Sequence, residues 1–339
     1  MNPRETIILV TGADGFVGTH LCRALVEHYT VYAFMLPSQV DVFKEKWGSL
    51  DYSHLKILSG YFTELSQLTQ SLPPIQYVVH CAGTMLGAKY ESYLRSNLEI
   101  TQELLVQVPK NLKKLIFISS QSALGPSDSK SNKLKSSATP RPLSFYGETK
   151  LRAEKEVLKS GVPSLIFRPA PILGPEDKTF LEIFQTADKG KFPILGQKNK
   201  TFQFVYVTDL VSAIQTALFS NITNKVYHIA YPEIADWDQM KTAMEAFLGR
   251  PLKILYINYT MTRLYLKFFD CIEFLTGKKT NKNLNKIDEI MAPYWVFDTS
   301  EFTSDMNFNY SHNLNETISS TYHWYQQNSW TRPHKKLTL

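Results

Sequence analysis

Residues 9–21 read LVTGADGFVGTHL: an apolar run, three glycines at spacings of three, then an amphipathic segment. Few arrangements accept this pattern. A chain leaving a buried strand reverses directly into a helix only where the turn residue tolerates a conformation closed to side chains. Strand and helix then cross closely only where the facing residue has no Cβ. Gly12 is placed for the turn, Gly15 for approach of an anion to the backbone, and Gly18 for the helix–strand contact. The open amino end of such a helix presents N–H donors to a pyrophosphate, so the context favours a dinucleotide site over a plain tight turn.

Five further apolar runs repeat the strand half of the pattern: VYAFML (31–36), LKILSG (55–60), YVVHCAG (77–83), KLIFISS (114–120) and SLIFRPA (164–170), after TIILVTG (6–12). Helical stretches at 16–28, 91–108 and 145–160 separate them. Short β-rich runs without alternation are strands buried on both faces, which predicts an α/β doubly wound parallel sheet. The segment FVYVTDLVSAIQTAL (204–218) reads as a strand and helix returning to it. The expected division is therefore a dinucleotide-binding domain over 1–170 with 204–230, and a smaller carboxy-terminal substrate lobe over 171–203 and 231–339. PSDSKSNKLKSSATPRP (126–142) is poor in apolar residues and reads as a mobile loop, a candidate flap.

With 339 residues, 43% of them hydrophobic, the chain can bury a large core. The net charge of +6 comes from lysines gathered at 130–135, 278–286 and 335–336, which reads as solvated loops rather than a nucleic-acid face. Cys22, Cys81 and Cys271 are an odd set without metal-ligand spacing, expected as core thiols in a reducing compartment; no metal is expected. The amino-terminal apolar run is short for a signal peptide and no window is apolar enough for a membrane span, so a cytoplasmic location is expected. In YTMTRLYLKFFDCIEFLTG (259–277), Arg263, Lys267, Asp270 and Glu273 share one stripe of an apolar helix. Core or substrate-lid packing is the expectation there, with a membrane-surface or dimer contact as the alternative.

The chemistry is carried by SFYGETKLRAE, in which Tyr146 and Lys150 lie one helical turn apart on one face. FISSQSALGP brings Ser119 and Ser120 to the carboxyl edge of the sheet, where ligands of this architecture bind. A phenol with a reference pKa of about 10 is a poor base at neutral pH, and a neighbouring ammonium and a positive nicotinamide both favour its phenolate. Tyr146 then exchanges a proton with a substrate hydroxyl, Ser120 holds the same oxygen, and Lys150 also holds ribose hydroxyls. At the adenosine end, FMLPSQ offers neither acid nor arginine: Leu36, Pro37 and Ser38 stand there. An unpaired 2′-phosphate is the costlier omission, which tilts the reading to NAD over NADP.

Together, TGADGFVG, VVHCAG, SNLEITQELL, SSQSALGP, YGETK, IFRPAPILGP and FVYVTDL resemble the extended short-chain dehydrogenase/reductases, the NAD-dependent epimerase/dehydratases, over most of the chain. The resemblance implies a Rossmann domain, a Ser120–Tyr146–Lys150 triad, Asn97 near the nicotinamide and a homodimer. It also implies cofactor contacts at Gly12, Asp14, Gly15, Phe16, Val17, Gly18, Tyr61, Ala82, Gly83, Asn97, Tyr146 and Lys150. Three departures bear on substrate. Gln121 and Ser122 stand where the 4,6-dehydratases carry Asp-Glu, so dehydration is not expected. Tyr61 replaces the usual adenine-contacting aspartate and either stacks on the base or packs. No arginine occurs between Arg263 and Arg332 to clamp a diphosphate, leaving only lysines, without the bidentate fork.

The expected activity is hydride transfer at a secondary alcohol or ketone carbon of a small molecule, as a dehydrogenase/reductase or as a sugar-nucleotide epimerase. A non-catalytic cofactor-sensing or scaffold protein is the alternative of another class. His80 and Arg168 are expected to be structural, Asp209 to anchor a helix start, and the aromatic residues between Tyr294 and Tyr325 to be chiefly core.

Overall fold

The computed structural model describes residues 3–48, 53–85, 87, 89–277 and 284–331. The first half alternates: β1 (Ile7–Thr11), α1 (Phe16–Leu25), β2 (Thr30–Met35), α2 (Val40–Trp47), β3 (Leu55–Ser59), α3 (Leu65–Thr69), β4 (Tyr77–His80), α4 (Tyr90–Tyr93), α5 (Ile100–Gln107), β5 (Lys114–Ile118), α6 (Phe145–Lys159) and β6 (Ser164–Pro169). The pattern then loosens through β7 (Ile172–Leu173), α7 (Leu181–Ala187), β8 (Lys191–Leu195), β9 (Thr201–Phe202), β10 (Val205–Tyr206), α8 (Val207–Leu218) and β11 (Lys225–Ile229). The remainder comprises β12 (Ala235–Asp236), α9 (Trp237–Leu248), β13 (Lys253–Ile257), α10 (Tyr259–Thr276), α11 (Ile287–Met291), β14 (Tyr294–Trp295), α12 (Ser300–Met306) and α13 (Leu314–Gln327).

Seven strands form one parallel sheet in the order β11-β6-β5-β4-β1-β2-β3. This is the expected doubly wound α/β fold, with β11 as a seventh strand beside β6. Every residue of β1, β5 and β6 is buried, as strands covered by helices on both faces must be. The one cation in β5, Lys114, is satisfied by a helix end: its ammonium donates to the carbonyls of Ala217 (2.8 Å) and Ser220 (2.5 Å) at the carboxyl end of α8. The winding reverses between β1 and β4, the switch point at whose carboxyl end ligands of such sheets bind.

The segment 204–218 enters the first domain through its helix and not through a strand of the main sheet. α8 buries Leu210, Val211 and Ile214 among Ile8, Val10 and Leu21, whereas β10 pairs with β7 in a separate ribbon. Asp209, in the first turn of α8, accepts from the backbone of Ser311 and His312 and from the Tyr231 hydroxyl (3.0, 3.1 and 3.0 Å). It thus ties the helix start to a distant segment and does not cap its own helix. The smaller lobe has its own core around Phe184, Phe192, Trp237, Met240, Trp295, Tyr322 and Tyr325.

Two expectations fail. The loop 126–142 is no free flap: Leu134 bridges Phe297, its N–H donates to Val296 O (3.1 Å), and Ser127 N–H donates to Tyr294 O (2.8 Å). Helix α10 is neither core nor a packed lid, because it buries only Thr262 and Leu266 and leaves most of its large apolar side chains in solvent. Of the three lysine groups, Lys130, Lys133 and Lys135 are exposed, whereas 278–283 and 335–336 lie outside the described residues.

Sheet and α6 are clamped by a buried ion pair. Arg168 donates from Nε and Nη2 to Oε1 and Oε2 of Glu154 (2.9 and 2.6 Å), Ser119 donates to the same carboxylate (2.5 Å), and a further guanidinium nitrogen donates to Ser136 O (3.1 Å). Both partners are almost fully buried, so removing one strands the other in a low dielectric. Arg168→Leu is expected to cost about 3–5 kcal/mol in urea unfolding, and Arg168→Leu/Glu154→Leu to recover most of that loss. Equal losses in the single and double variants would show that the pair is not the origin of the clamp.

Candidate active site

The crevice is built from glycine outward. Gly12 adopts φ +65°, and a Cβ there would sit 2.7 Å from the backbone of Ala82 in the loop leaving β4. A Cβ on Gly18 would lie 2.1 Å from Gly12 O, a clash between two backbones that no rotamer relieves. Gly15 is exposed, caps α1 without a side-chain hydrogen bond, and faces only Gly12 O at 3.1 Å, which leaves its outer side open. The first N–H groups of α1, at Phe16, Val17 and Gly18, have no acceptor within the helix and follow a turn without side chains, a cradle that fits a pyrophosphate.

Asn97 fastens the β4 loop to α6, the helix that carries Tyr146 and Lys150. It is fully buried; its Oδ1 accepts from Thr84 N–H (2.8 Å), and its Nδ2 donates to Thr84 O (3.1 Å) and to Thr149 Oγ1 on α6 (3.2 Å). It sits in a π-helical stretch, Leu94–Glu99, inside the helix expected over 91–108. Such wide turns turn a side chain away from the ordinary helical register and recur at functional sites. Beneath it His80 is wholly buried. Thr101 donates to Asn97 O (2.8 Å), so its oxygen accepts from His80 Nε2–H (3.0 Å), and His80 Nδ1 accepts from the Thr11 hydroxyl (2.6 Å). Burial, aided by the Lys150 charge, pulls this imidazole down to about 3, so it is a neutral structural link between β1, β4 and α5.

Ser120, Tyr146 and Lys150 converge at the carboxyl edge of β5. Ser120 caps the short turn Gln121–Ala123, accepting from Ser122 N–H (3.2 Å), and its hydroxyl lies near enough to the Tyr146 phenol to favour the phenolate. Ser144 starts α6, accepting from Gly147 N–H (3.0 Å) and donating to Glu289 Oε1 (2.5 Å). Burial pushes the Tyr146 phenol well above its ordinary value, the Glu289 carboxylate pushes it further, and the Ser120 hydroxyl alone offsets them appreciably. Lys150 is directed elsewhere: its ammonium donates to Ile118 O (2.8 Å), lies 4.5 Å from the Phe117 ring centre, and stands 3.2 Å from where a Gly83 Cβ would be. Burial lowers it to about 8. The cation beside Tyr146 is instead Lys286, 5.7 Å from the centre of its ring and itself lowered by burial. Lys200, also pushed down to about 8 by burial, donates to Glu289 O (3.1 Å) and Ile290 O (2.8 Å) and so fixes that cover. Sequence reasoning missed Lys200, Lys286 and Glu289; nothing local marks them, because they reach the site from a distant segment.

At the adenosine end, Leu36 and Tyr61 are both exposed, Tyr61 to 58%, so Tyr61 does not pack and remains open for stacking. A cation absent from the second-strand motif arrives from α2: Lys46 donates to Asp14 O (2.5 Å) at the mouth of α1. Arg23 beside it pairs with Glu176 (2.6 Å) and donates to Lys46 O (2.5 Å). Among the described residues no cluster of His, Cys, Asp and Glu is arranged to hold a metal. Cys22, Cys81 and Cys271 are free; burial pushes Cys81 up to about 12, and Cys271 is exposed, not in the core.

The family model for the NAD dependent epimerase/dehydratase family matches residues 8–230. An uncharacterised UDP-glucose epimerase of Bacillus subtilis is 26% identical over 268 residues, covering 72% of this chain and 82% of the relative. The human sterol-4-alpha-carboxylate 3-dehydrogenase, decarboxylating, is 27% identical over 276 residues, covering 77% and 69%. The crystal structure of UDP-glucuronic acid 4-epimerase from Bacillus cereus in complex with UDP-glucuronic acid and NAD superposes with a TM-score of 0.76 at 24% identity, over 95% of this chain and 100% of that one.

The Lys150 charge titrates within reach of experiment. Its ammonium is present below pH 8 and is lost as pH rises through about 8. Cofactor affinity is therefore expected to be flat near pH 7 and to fall by about tenfold in all as pH rises past 8. Lys150→Met is expected to weaken binding about tenfold at pH 7 and to remove the slope. Calorimetric titration across this range decides it, and a slope that survives in Lys150→Met would transfer the effect to Lys200.

Proposed function

The chain belongs to the NAD dependent epimerase/dehydratase family, and from that premise we propose that it moves hydride at a secondary alcohol or ketone carbon with Ser120, Tyr146 and Lys150 as its reactive set. The observation that carries the proposal is the approach of the Ser120 hydroxyl to the Tyr146 phenol, beside a β4 loop that Asn97 fastens to the same helix. A nicotinamide dinucleotide, when bound, supplies the hydride acceptor or donor. Tyr146 holds its proton tightly in the protein alone and is poised as an acid toward a developing alkoxide. Ser120 donates to the same oxygen and fixes it over the crevice. Lys150 holds ribose hydroxyls from the Gly83 side, its ammonium being anchored on Ile118 O.

The cofactor is proposed to be NAD. Leu36, Pro37 and Ser38 supply no charge for a 2′-phosphate and Arg23 is paired with Glu176, which leaves only Lys46, held on Asp14 O without the bidentate fork of an arginine. Dehydration is not proposed, because Gln121 and Ser122 bring neither a carboxylic acid nor a carboxylate to the place of elimination. A sugar-nucleotide epimerase is the second reading, favoured by the Bacillus relative named as a UDP-glucose epimerase.

Tyr146→Phe is expected to lower turnover about a hundred- to ten-thousand-fold with cofactor binding retained. Native mass spectrometry of the purified protein is expected to find NAD; finding NADP would reverse the cofactor assignment. Cofactor stoichiometry separates the two readings: net consumption marks a reductase or dehydrogenase, and interconversion without consumption marks an epimerase. Release of a 4-keto-6-deoxy sugar from a nucleotide-linked glucose would refute the exclusion of dehydration.

A further inference from the structure

Exposed apolar surface is concentrated in one place. Among the described residues ten of the eighteen exposed large apolar side chains fall between 254 and 275, in β13 and α10, which are joined through Asn258, the cap of α10. On α10 the stripe Met261, Leu264, Phe268 and Leu275 faces outward; Leu264 is 63% exposed, Phe268 61% and Leu275 79%. Thr262 and Leu266 form the opposite, buried stripe that fixes the helix to the lobe, with the Tyr265 hydroxyl donating to Glu182 (3.1 Å). A helix anchored on one side and apolar on the other leaves an apolar face in water, which soluble proteins seldom tolerate without a partner.

The charge around this face selects the partner. On β13 and α10 the basic residues Lys253, Arg263 and Lys267 are all exposed, whereas the two acidic ones, Asp270 and Glu273, are half-buried. Arg263 and Lys267 are exposed along one edge of the apolar stripe, beside Phe274 at 85%. Lys253 on β13 lies opposite Lys191 on β8, and neither is paired with a carboxylate among the described residues. Like charges placed side by side cost energy that an anionic surface would relieve. A second copy of the chain seated two-fold on this face would add one positive surplus to another. The helix carries too many charges to cross a bilayer, and no described helix is long and apolar enough to do so. Its pattern, an apolar face bordered by basic side chains and by Tyr256, Tyr259 and Tyr265, is that of an element lying in the headgroup plane.

We propose that the outer face of α10, with β13, docks on an anionic phospholipid surface. This goes beyond the reading of the reaction and does not depend on it. The full-length protein is to be sedimented at low salt with equimolar phosphatidylcholine–phosphatidylglycerol vesicles and with pure phosphatidylcholine vesicles. Binding to the mixed vesicles at least tenfold stronger than to the neutral ones, and weakened by salt, is expected. Leu264→Glu/Phe268→Glu should reduce it by a further factor of about a hundred, and Arg263→Glu/Lys267→Glu by about tenfold or more, with thermal unfolding and cofactor binding unchanged because all four residues are exposed. A wild-type protein that stays in the supernatant, or binding indifferent to both variants, overturns the proposal. So does a concentration-dependent dimer, seen by sedimentation equilibrium, that Leu264→Glu/Phe268→Glu disperses in a protein that ignores vesicles.

Discussion

The contact on which the rest depends is the one between two backbones at Gly12. With no Cβ there, the turn leaving β1 lies against Ala82 in the loop leaving β4, and with none at Gly18 helix α1 lies against the turn itself. These two loops are the walls of the crevice. The β4 loop is then tied through Thr84 to Asn97, and Asn97 to Thr149, one residue before Lys150 and one helical turn from Tyr146. A continuous path of tight contacts thus sets the phosphate cradle in fixed relation to the reactive groups. Because every link is backbone, a buried amide or a buried hydroxyl, the relation is held by sterics and hydrogen bonds and changes little with salt or pH.

Electrostatics at the crevice point in opposite directions for the two titratable members of the set. Burial raises Tyr146 and lowers Lys150, so in the protein alone the pair is held close to a neutral phenol and an ammonium that titrates near 8. The nearest carboxylate, Glu289, reinforces the neutral phenol and is engaged by the Ser144 hydroxyl that starts the same helix. Lys286, from the segment just before α11, is the cation closest to the phenol ring, and Glu289 in turn raises the lowered Lys286. The carboxy-terminal lobe therefore supplies one charge of each sign to the neighbourhood of Tyr146. Of these two charges, it is Glu289 that raises the phenol.

What was legible in the sequence is what is local. The glycines, the strand runs and the Tyr146–Lys150 spacing depend on neighbours within a turn or two, and the structure places them on the expected elements. Asn97 came only with the family resemblance, since its π-helical setting reflects packing and no composition. Lys46, Lys200, Lys286 and Glu289 were invisible because each reaches the crevice from an element remote in sequence. The polar loop 126–142 misled for a related reason: its few apolar residues include Leu134, and one backbone bridge to Phe297 with flanking hydrogen bonds suffices to fasten it. For α10 the spacing correctly gave a helix with a polar stripe, but periodicity cannot say whether an apolar face has another element to meet.

That unmet face is not remote from the chemistry. The carboxylate of Asp270, on the inner side of α10, accepts from Leu284 N–H (3.2 Å), and Leu284 opens the short turn Leu284–Lys286 that ends over the Tyr146 ring. The next turn carries Glu289, which is bonded to Ser144 and presses on the same phenol. Helix α10, this turn and α11 form one strip whose inner side sets the charges around Tyr146 and whose outer side is apolar. The apolar helix and the charges beside the phenol thus lie on consecutive elements, joined among the described residues by the Asp270–Leu284 bond.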